Sequence, residues 1–208
     1  TLWIWGSGEY GQSTGFGNTP VQIATNVKFA DGGASHLAFV KYDGTAWAVG
    51  RNNCGQLGNG STSATPVTVP VQMLGIQNAV RVAAIGADID GNAATLVLMN
   101  DGTTKITGGS TYFSTTSALS APVLIPSLTN IVDIKGNFPA GYFLNSAGEV
   151  YSFGMSSFGS LGLSAITATF TPMKITFPPG AAPIVAISSN NDGYHALALD
   201  ENGQVYAW

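Results

Sequence analysis

The chain alternates short stretches of apolar and β-branched residues with polar turns that are rich in glycine. Several of these stretches meet at an Asp-Gly or Asn-Gly pair, as at Asp43-Gly44, Asp101-Gly102 and Asn202-Gly203. Such pairs are strong signals of a β-hairpin, because a type I′ turn needs a positive φ at both central residues. No window combines sustained helical periodicity with capping residues. The pattern therefore predicts an all-β protein.

One segment recurs: a hairpin glycine, five β-rich residues, and a second glycine that opens a polar turn. Successive turn glycines are 44, 58 and 46 residues apart, which suits four-stranded propeller blades with loops of unequal length. Within the turn, a further glycine recurs in three copies and is followed by glutamine in two of them. The repeat residues are Gly6, Gly50, Gly108 and Gly154, then Gly11, Gly55 and Gly159, with Gln12 and Gln56.

This register divides the chain into four repeats, at approximately 1–44, 45–102, 103–148 and 149–203, and residues 204–208 open a fifth. QVYAW at 204–208 occupies the same repeat position as TLWIW at 1–5. We therefore expect a single β-propeller domain of four-stranded blades that is a piece of a larger ring. Each repeat also carries a proline after its turn: Pro20, Pro66, Pro122 and Pro172.

Composition narrows the function classes. Charged residues make up only 9% of the chain, the net charge is −4, and the seven basic residues are scattered singly. The chain thus lacks the basic surface that phosphate binding requires, and we expect no nucleic-acid partner. No apolar run reaches the roughly 20 residues of a membrane helix, so we expect no membrane insertion. Cys54 is the only cysteine, which excludes an internal disulfide and a cysteine-based zinc site.

The assembled repeat resembles that of the regulator of chromosome condensation family. GRNNCGQLGNG at 50–60 is the closest match, and HLAF at 36–39 and HALAL at 195–199 match the other half of the motif. The third copy departs most, with Phe113 and Ser114 in place of the glycine and glutamine. The resemblance covers the whole chain and implies part of a seven-bladed ring. The family includes guanine-nucleotide exchange factors for small GTPases and a secreted inhibitor of β-lactamases.

Two features could suggest a ligand site. Gly6-Ser-Gly8-Glu-Tyr-Gly11 matches the dinucleotide fingerprint G-x-G-x-x-G, but the segment after it cannot form the helix that would hold the phosphates. Asp88, Asp90 and Asn92 crowd oxygen atoms as a calcium loop does, yet the glycine comes too early and no glutamate closes the loop. We therefore expect a repeat turn and an acidic loop, with no cofactor and no metal.

Two further features favour structural roles. His36 and His195 occupy the same repeat position, which favours blade histidines that hydrogen-bond neighbouring backbone over catalytic or metal-binding residues. Cys54 aligns with Phe158 and with two tyrosines in the other copies, so we interpret its position as apolar packing rather than a nucleophile. No acid and base pair suggests an enzyme.

Recognition by a propeller is expected on loops that the repeat itself does not fix. The longest departures from the repeat are Leu74 to Asn92 and Thr176 to Asp192, and we expect these to be contact loops that folding does not require. Their candidate contact residues are Asp88, Asp90, Asn92, Asn190, Asn191 and Asp192.

These features favour a non-enzymatic binding or structural module. The sparse charge and the abundance of Thr, Ser, Gly and Asn suggest an extracellular or virion protein, such as a phage tail or fibre component or a bacterial surface protein, with the cytoplasm as an open alternative. Its partner is expected to be a protein or a surface glycan, further blades of the same chain, or a second copy. The alternative hypothesis is guanine-nucleotide exchange or another protein-binding regulatory role.

Overall fold

The fold was established from a computed structural model that describes residues 1–6, 17–86, 93–109, 118–138, 140–156, 158–191 and 193–208. Every regular element in these ranges is a β-strand, which confirms the all-β prediction. The same ranges contain no helix long and apolar enough to cross a membrane.

The strands form five antiparallel sheets that follow one another along the chain. Three sheets are complete four-stranded blades, whereas the N-terminal sheet has two strands and the C-terminal sheet has three. The N-terminal sheet contains β1 (Leu2–Gly6) and β2 (Gly17–Ala24). The first blade contains β3 (Val27–Gly32), β4 (His36–Lys41), β5 (Ala46–Asn52) and β6 (Ser63–Gln72). The second contains β7 (Ala79–Ile85), β8 (Ala94–Met99), β9 (Thr104–Gly108) and β10 (Leu119–Leu124). The third contains β11 (Ile131–Gly136), β12 (Ala140–Asn145), β13 (Val150–Met155) and β14 (Ala168–Lys174). The C-terminal sheet contains β15 (Ile184–Ser189), β16 (Ala196–Asp200) and β17 (Val205–Ala207).

The blades are offset from the sequence repeats by half a blade. Each blade joins the last two strands of one repeat to the first two strands of the next, as the order β3-β4-β5-β6 illustrates. The reason is that the hairpin at Asp43-Gly44, used as the repeat boundary, connects the second and third strands of one sheet. A boundary drawn at each hairpin glycine therefore passes through the middle of a blade.

A proline interrupts the outermost pairing at one equivalent position in the N-terminal sheet and in each of the three blades. The register shifts there, and the proline precedes the residue that restores pairing. The four prolines are Pro20, Pro70, Pro122 and Pro172, so Pro70 rather than Pro66 is the structural equivalent of the other three. Proline suits an outer edge strand, because it removes a backbone donor that could pair with another chain.

The antiparallel order creates two faces. We call the loop face the side that carries the connections from first to second strand and from third to outer strand, such as 33–35 and 53–62. We call the turn face the side that carries the hairpins and the connections between blades, such as 42–45 and 175–183.

Apolar clusters between successive sheets hold the blades together. The second strand of each complete blade is buried where it faces the next blade, as Ala38, Leu96 and Tyr142 illustrate at one repeat position. The equivalent residue of the C-terminal sheet, Leu197, is 39% exposed. Packing between sheets rather than within them therefore supplies most of the apolar burial.

The two segments expected to be dispensable contact loops each contain the first strand of a sheet. We call these first strands, β3, β7, β11 and β15, the inner strands. β7 lies within Leu74 to Asn92, and β15 lies within Thr176 to Asp192. Val82 and Ile85 of β7, and Ile184 and Ile187 of β15, are buried in the clusters between blades. Deleting either segment would remove the first strand of a sheet, so the expectation that folding survives such deletions is wrong.

Candidate functional site

The loop face is built on glycines that the repeat places at the end of each third strand. Gly6, Gly50, Gly108 and Gly154 all have positive φ, between 89° and 117°. A Cβ atom added at Gly50 would lie 2.7 Å from the carbonyl oxygen of Ser35, because the turn crosses closely over the neighbouring strand. Glycine at this position thus permits both the sharp turn and the close approach.

The glycine-rich turn of the first blade is tied to the second blade by buried hydrogen bonds. Gln56 accepts a hydrogen bond from the Cys54 backbone N–H at 2.9 Å, which closes the turn. The Thr95 hydroxyl donates to the Gln56 carbonyl at 2.7 Å, and the Thr107 hydroxyl donates to the Gly55 carbonyl at 2.8 Å. This turn therefore joins the first blade to the second through hydrogen bonds, and the backbone carbonyls of Gly55 and Gln56 are occupied by them.

The two repeat histidines differ in environment. His36 is fully buried, and its Nε2 lies 2.9 Å from the Thr95 hydroxyl oxygen in the next blade. Burial lowers the pKa of His36 to about 4, so the ring is neutral at pH 7. His195 is exposed, on the part of the C-terminal sheet that no described sheet covers. Its backbone carbonyl accepts a hydrogen bond from the Asn137 side chain at 3.3 Å.

Three aromatic side chains meet on the loop face between the third blade and the C-terminal sheet. The rings of Phe158 and Tyr194 have centroids 5.2 Å apart and are nearly perpendicular, and those of Tyr194 and Phe138 are 6.2 Å apart in a similar arrangement. Phe158 is 89% exposed and has a φ of 57°. We call Phe138, Phe158 and Tyr194 the aromatic cluster.

The three side chains of the aromatic cluster are uncharged. The segments that carry them, 137–139, 156–167 and 190–195, contain one Asp, Glu, Lys or Arg by sequence, namely Asp192, which lies outside the described residues. Large aromatic side chains are enriched in protein interfaces, where they supply contact area at a low cost in conformational entropy. The cluster is therefore suited to bind an apolar part of a partner.

Charged residues gather instead on the inner strands β3, β7 and β11. A cavity of about 60 Å³ is lined by residues of all four inner strands, which marks it as part of the centre of the propeller. Asp31 accepts a hydrogen bond from the Ala84 backbone N–H at 2.9 Å, and Asp133 forms ion pairs with both Arg81 and Lys135. Burial raises the pKa of Asp31.

Of the expected contact residues, Asn191 and Asn190 lie in the connection after β15, on the loop face. The Asn191 side chain donates a hydrogen bond to the Gly32 carbonyl of the first blade. Asp88, Asp90, Asn92 and Asp192, and the repeat residues Gly11 and Gln12, lie outside the described residues, as does most of the match to the dinucleotide fingerprint. No group of three or more metal-ligating side chains occurs among the residues that the structure describes.

The family model for the regulator of chromosome condensation (RCC1) repeat matches residues 43–89 and 147–198. These matches fall on two of the copies that the internal register defines, and the blades around them have the offset of strands described above. These two segments of the chain are regulator of chromosome condensation repeats. We refer to it below as the RCC1-repeat chain.

Curated relatives cover the full length of the RCC1-repeat chain at low identity. Human E3 ubiquitin-protein ligase HERC2 is 26% identical over 221 residues, spanning 100% of this chain and 4% of HERC2. The ultraviolet-B receptor UVR8 of Arabidopsis thaliana is 28% identical over 219 residues, spanning 98% of this chain and 48% of UVR8. The chain thus spans half or less of the length of these relatives.

Solved structures show the same fold. Human WBSCR16 superimposes with a TM-score of 0.81 at 19% identity, covering 99% of this chain and 56% of WBSCR16. Yeast RCC1 (Prp20), in its crystal structure with Kap60, superimposes with a TM-score of 0.75 at 18% identity, covering 93% and 46%. A separate structure of Prp20p from Saccharomyces cerevisiae, described with its binding to Gsp1p and histones, gives 0.54 at 14% identity, covering 99% and 65%. The RCC1-repeat chain is therefore part of a β-propeller.

Sequence reasoning did not find the aromatic cluster. The repeat alignment assigned Phe158 to an apolar packing position, because Cys54 and two tyrosines occupy it in the other copies. Cys54 is indeed buried. One sequence feature could have indicated the cluster: GMSSFGSLG at 154–162 has a single large aromatic residue among small and polar ones. NDGYH at 191–195 has a tyrosine in a similar setting.

Proposed function

We propose that the RCC1-repeat chain is a protein-binding regulatory module that docks a partner through the loop face. The observation that carries this proposal is the exposure of Phe158 beside Tyr194. Both rings are held in place by edge-to-face contacts, so little conformational entropy is lost when a partner covers them.

Kinship supports a protein partner rather than a glycan or a virion assembly. The relatives above are eukaryotic regulators, and they lend no support to a phage or cell-surface role. The Prp20 structures are described with Kap60, Gsp1p and histones, which are all proteins. For this chain we propose only that the partner is a protein. The extracellular or virion location expected from composition stays a prediction, which localisation of the tagged protein would test.

The second candidate function is guanine-nucleotide exchange on a small GTPase. It is favoured by the 30% identity over 89 residues to the mouse regulator of chromosome condensation, which covers 42% of this chain and 20% of that protein. Exchange requires that the partner release its nucleotide, whereas docking alone does not.

Purified Gsp1p and histones, mixed separately with the RCC1-repeat chain, test the two functions. The docking proposal predicts binding of at least one of them and no faster release of a fluorescent guanine nucleotide from Gsp1p. Accelerated release would favour the exchange function instead. A chain that binds neither protein would argue against partners of the Prp20 type.

A further inference from the structure

Arg81 and Lys135 are the two cations of the chain that lie side by side on adjacent inner strands, β7 and β11. Both face one carboxylate, Asp133, with N to O distances of 3.6 Å from Arg81 Nε and from Lys135 Nζ. Hydrogen bonds to a carboxylate are normally about 2.7–2.9 Å long, so neither contact satisfies the donors fully. Within the part of the chain that the structure describes, neither side chain forms a hydrogen bond beyond these two contacts, although the guanidinium has five donors.

The arrangement is partly preformed. The Arg81 guanidinium carbon lies 5.1 Å from the centre of the Phe29 ring, which restrains the guanidinium from the first blade. The side chain of Arg81 is 41% exposed and that of Lys135 is 30% exposed, whereas Asp133 is 19% exposed. The cations are therefore more accessible than the carboxylate that they share.

The blade fold does not require these charges. Each inner strand has a register shift at the same place, which makes Phe29, Arg81, Asp133 and Ala186 equivalent. By the same register Lys135 is equivalent to Asp31, Ala83 and Ser188. The three blades and the C-terminal sheet have four different side chains at each position and share the same strand pairing, so the pair of cations is a feature of this surface rather than of the repeat.

We propose that Arg81 and Lys135 form a receptor for a carboxylate that a partner protein inserts at the centre of the propeller, with Asp133 as the internal carboxylate that it displaces. This inference rests on the proposed function, because it takes the partner to be a protein. An incoming carboxylate can accept two parallel hydrogen bonds from the guanidinium, which Asp133 at 3.6 Å from Nε does not do. Asp31 also faces Lys135 from β3 and opposes binding of a second anion beside it.

Binding of a hexaglutamate peptide at low salt, followed by backbone amide shifts in NMR spectra, tests this receptor. The wild-type chain should bind hexaglutamate and not hexaglutamine, with shifts centred on Arg81 and Lys135. Arg81→Met and Lys135→Met should each weaken binding about tenfold, because each removes one charge-assisted contact. Lys105→Met is the matched control, since Lys105 bonds the Gly75 carbonyl away from the inner strands.

Asp133→Asn separates a receptor from a purely structural ion pair. The receptor predicts that this change strengthens hexaglutamate binding several-fold, about threefold or more, because it removes the competing internal charge. Unchanged or weaker binding in Asp133→Asn, no binding by the wild-type chain, or binding of inorganic phosphate without binding of hexaglutamate would each overturn the proposal. Phe158→Ala should leave hexaglutamate binding unchanged, so failure of the docking proposal and failure of this one give different results.

Discussion

Cys54 and Phe158 occupy the same position of the glycine-rich turn, four residues after the turn glycine, yet Cys54 is 3% exposed and Phe158 is 89% exposed. The turn that carries Cys54 is fastened onto the second blade by Thr95 and Thr107. The ring of Phe158 instead packs against Tyr194 of the next sheet on the outside. One repeat position thus serves the core in one blade and the surface in another.

The first prediction compares these two residues. Phe158→Ala should lower the free energy of unfolding by about 0.5 kcal/mol, because the ring is 89% exposed and the substitution removes its edge-to-face contact with Tyr194. Cys54→Ala should cost about 1 kcal/mol or more, because it removes a buried side chain and leaves a cavity. Urea denaturation of both variants measures the difference. An equally large loss in Phe158→Ala would mean that the ring stabilises the fold.

The second prediction concerns pH. The pKa of His36 is about 4 in the folded chain and about 6.5 for an unperturbed histidine. Between these values the unfolded state binds a proton that the native state excludes. The free energy of unfolding is therefore not reduced by His36 above pH 6.5. It falls as the pH drops from 6.5 towards 4, by roughly 3 kcal/mol in total.

His36→Gln isolates this effect, because glutamine can still hydrogen-bond the Thr95 hydroxyl and does not titrate. The free energy of unfolding of the wild-type chain should fall more steeply from pH 6.5 to 4 than that of His36→Gln. Parallel pH profiles would show that His36 is protonated in the folded chain or is more accessible than its burial indicates.

A third prediction uses two glycines at one inner-strand position. A Cβ atom added at Gly136 would lie 1.5 Å from a methyl carbon of Ile85, whereas one added at Gly32 would meet nothing within 4 Å. Gly136→Ala should therefore destabilise the chain by about 1–3 kcal/mol through overpacking. Gly32→Ala is the matched control and should be close to neutral by thermal denaturation. A neutral Gly136→Ala would mean that the second and third blades can move apart without cost.

The fourth prediction tests the joint between the third blade and the C-terminal sheet. The buried Tyr142 hydroxyl donates to the Ser160 carbonyl at 2.5 Å and accepts from the Asn137 side chain at 3.0 Å. Trp208 Nε1 donates to the same carbonyl at 3.0 Å. Tyr142→Phe removes the hydroxyl and leaves the His195 carbonyl as the remaining acceptor of the Asn137 amide, so it should cost about 1–3 kcal/mol. Trp208→Phe should cost less after Tyr142→Phe if the two bonds act as a unit, which a double-mutant cycle measures.

The sequence specified the repeat, the hairpins and the turn glycines, because each depends on a local backbone conformation that few residues adopt. The half-blade offset could not be read from the same signals, since it depends on which repeats share a sheet. The expected contact loops included the inner strands β7 and β15 for a related reason. Their partners β8 and β16 are close in sequence, but their burial comes from the preceding blade.

The surface residues were harder to predict than the fold. Repeat equivalence predicted that Gly55 and Gln56 are parts of the turn motif, but it also grouped Phe158 with buried residues. Arg81 and Lys135 were recorded only as two scattered basic residues, because they are 54 residues apart in sequence and meet through packing of adjacent blades. In each of the two sites, the residues come together because one sheet packs on the next.

The most direct measurement of the central claim is affinity capture from a lysate of the organism that makes the protein, quantified by mass spectrometry for the wild-type chain and two variants. The loop-face variant is Phe158→Ala, and the matched control is Tyr42→Ala, which removes an aromatic side chain that is 75% exposed on the turn face. We predict that proteins captured by the wild-type chain are retained by Tyr42→Ala and depleted about tenfold or more by Phe158→Ala, as expected for loss of an aromatic interface residue. Equal capture by the wild-type chain and both variants, or depletion by Tyr42→Ala alone, would contradict docking through the loop face.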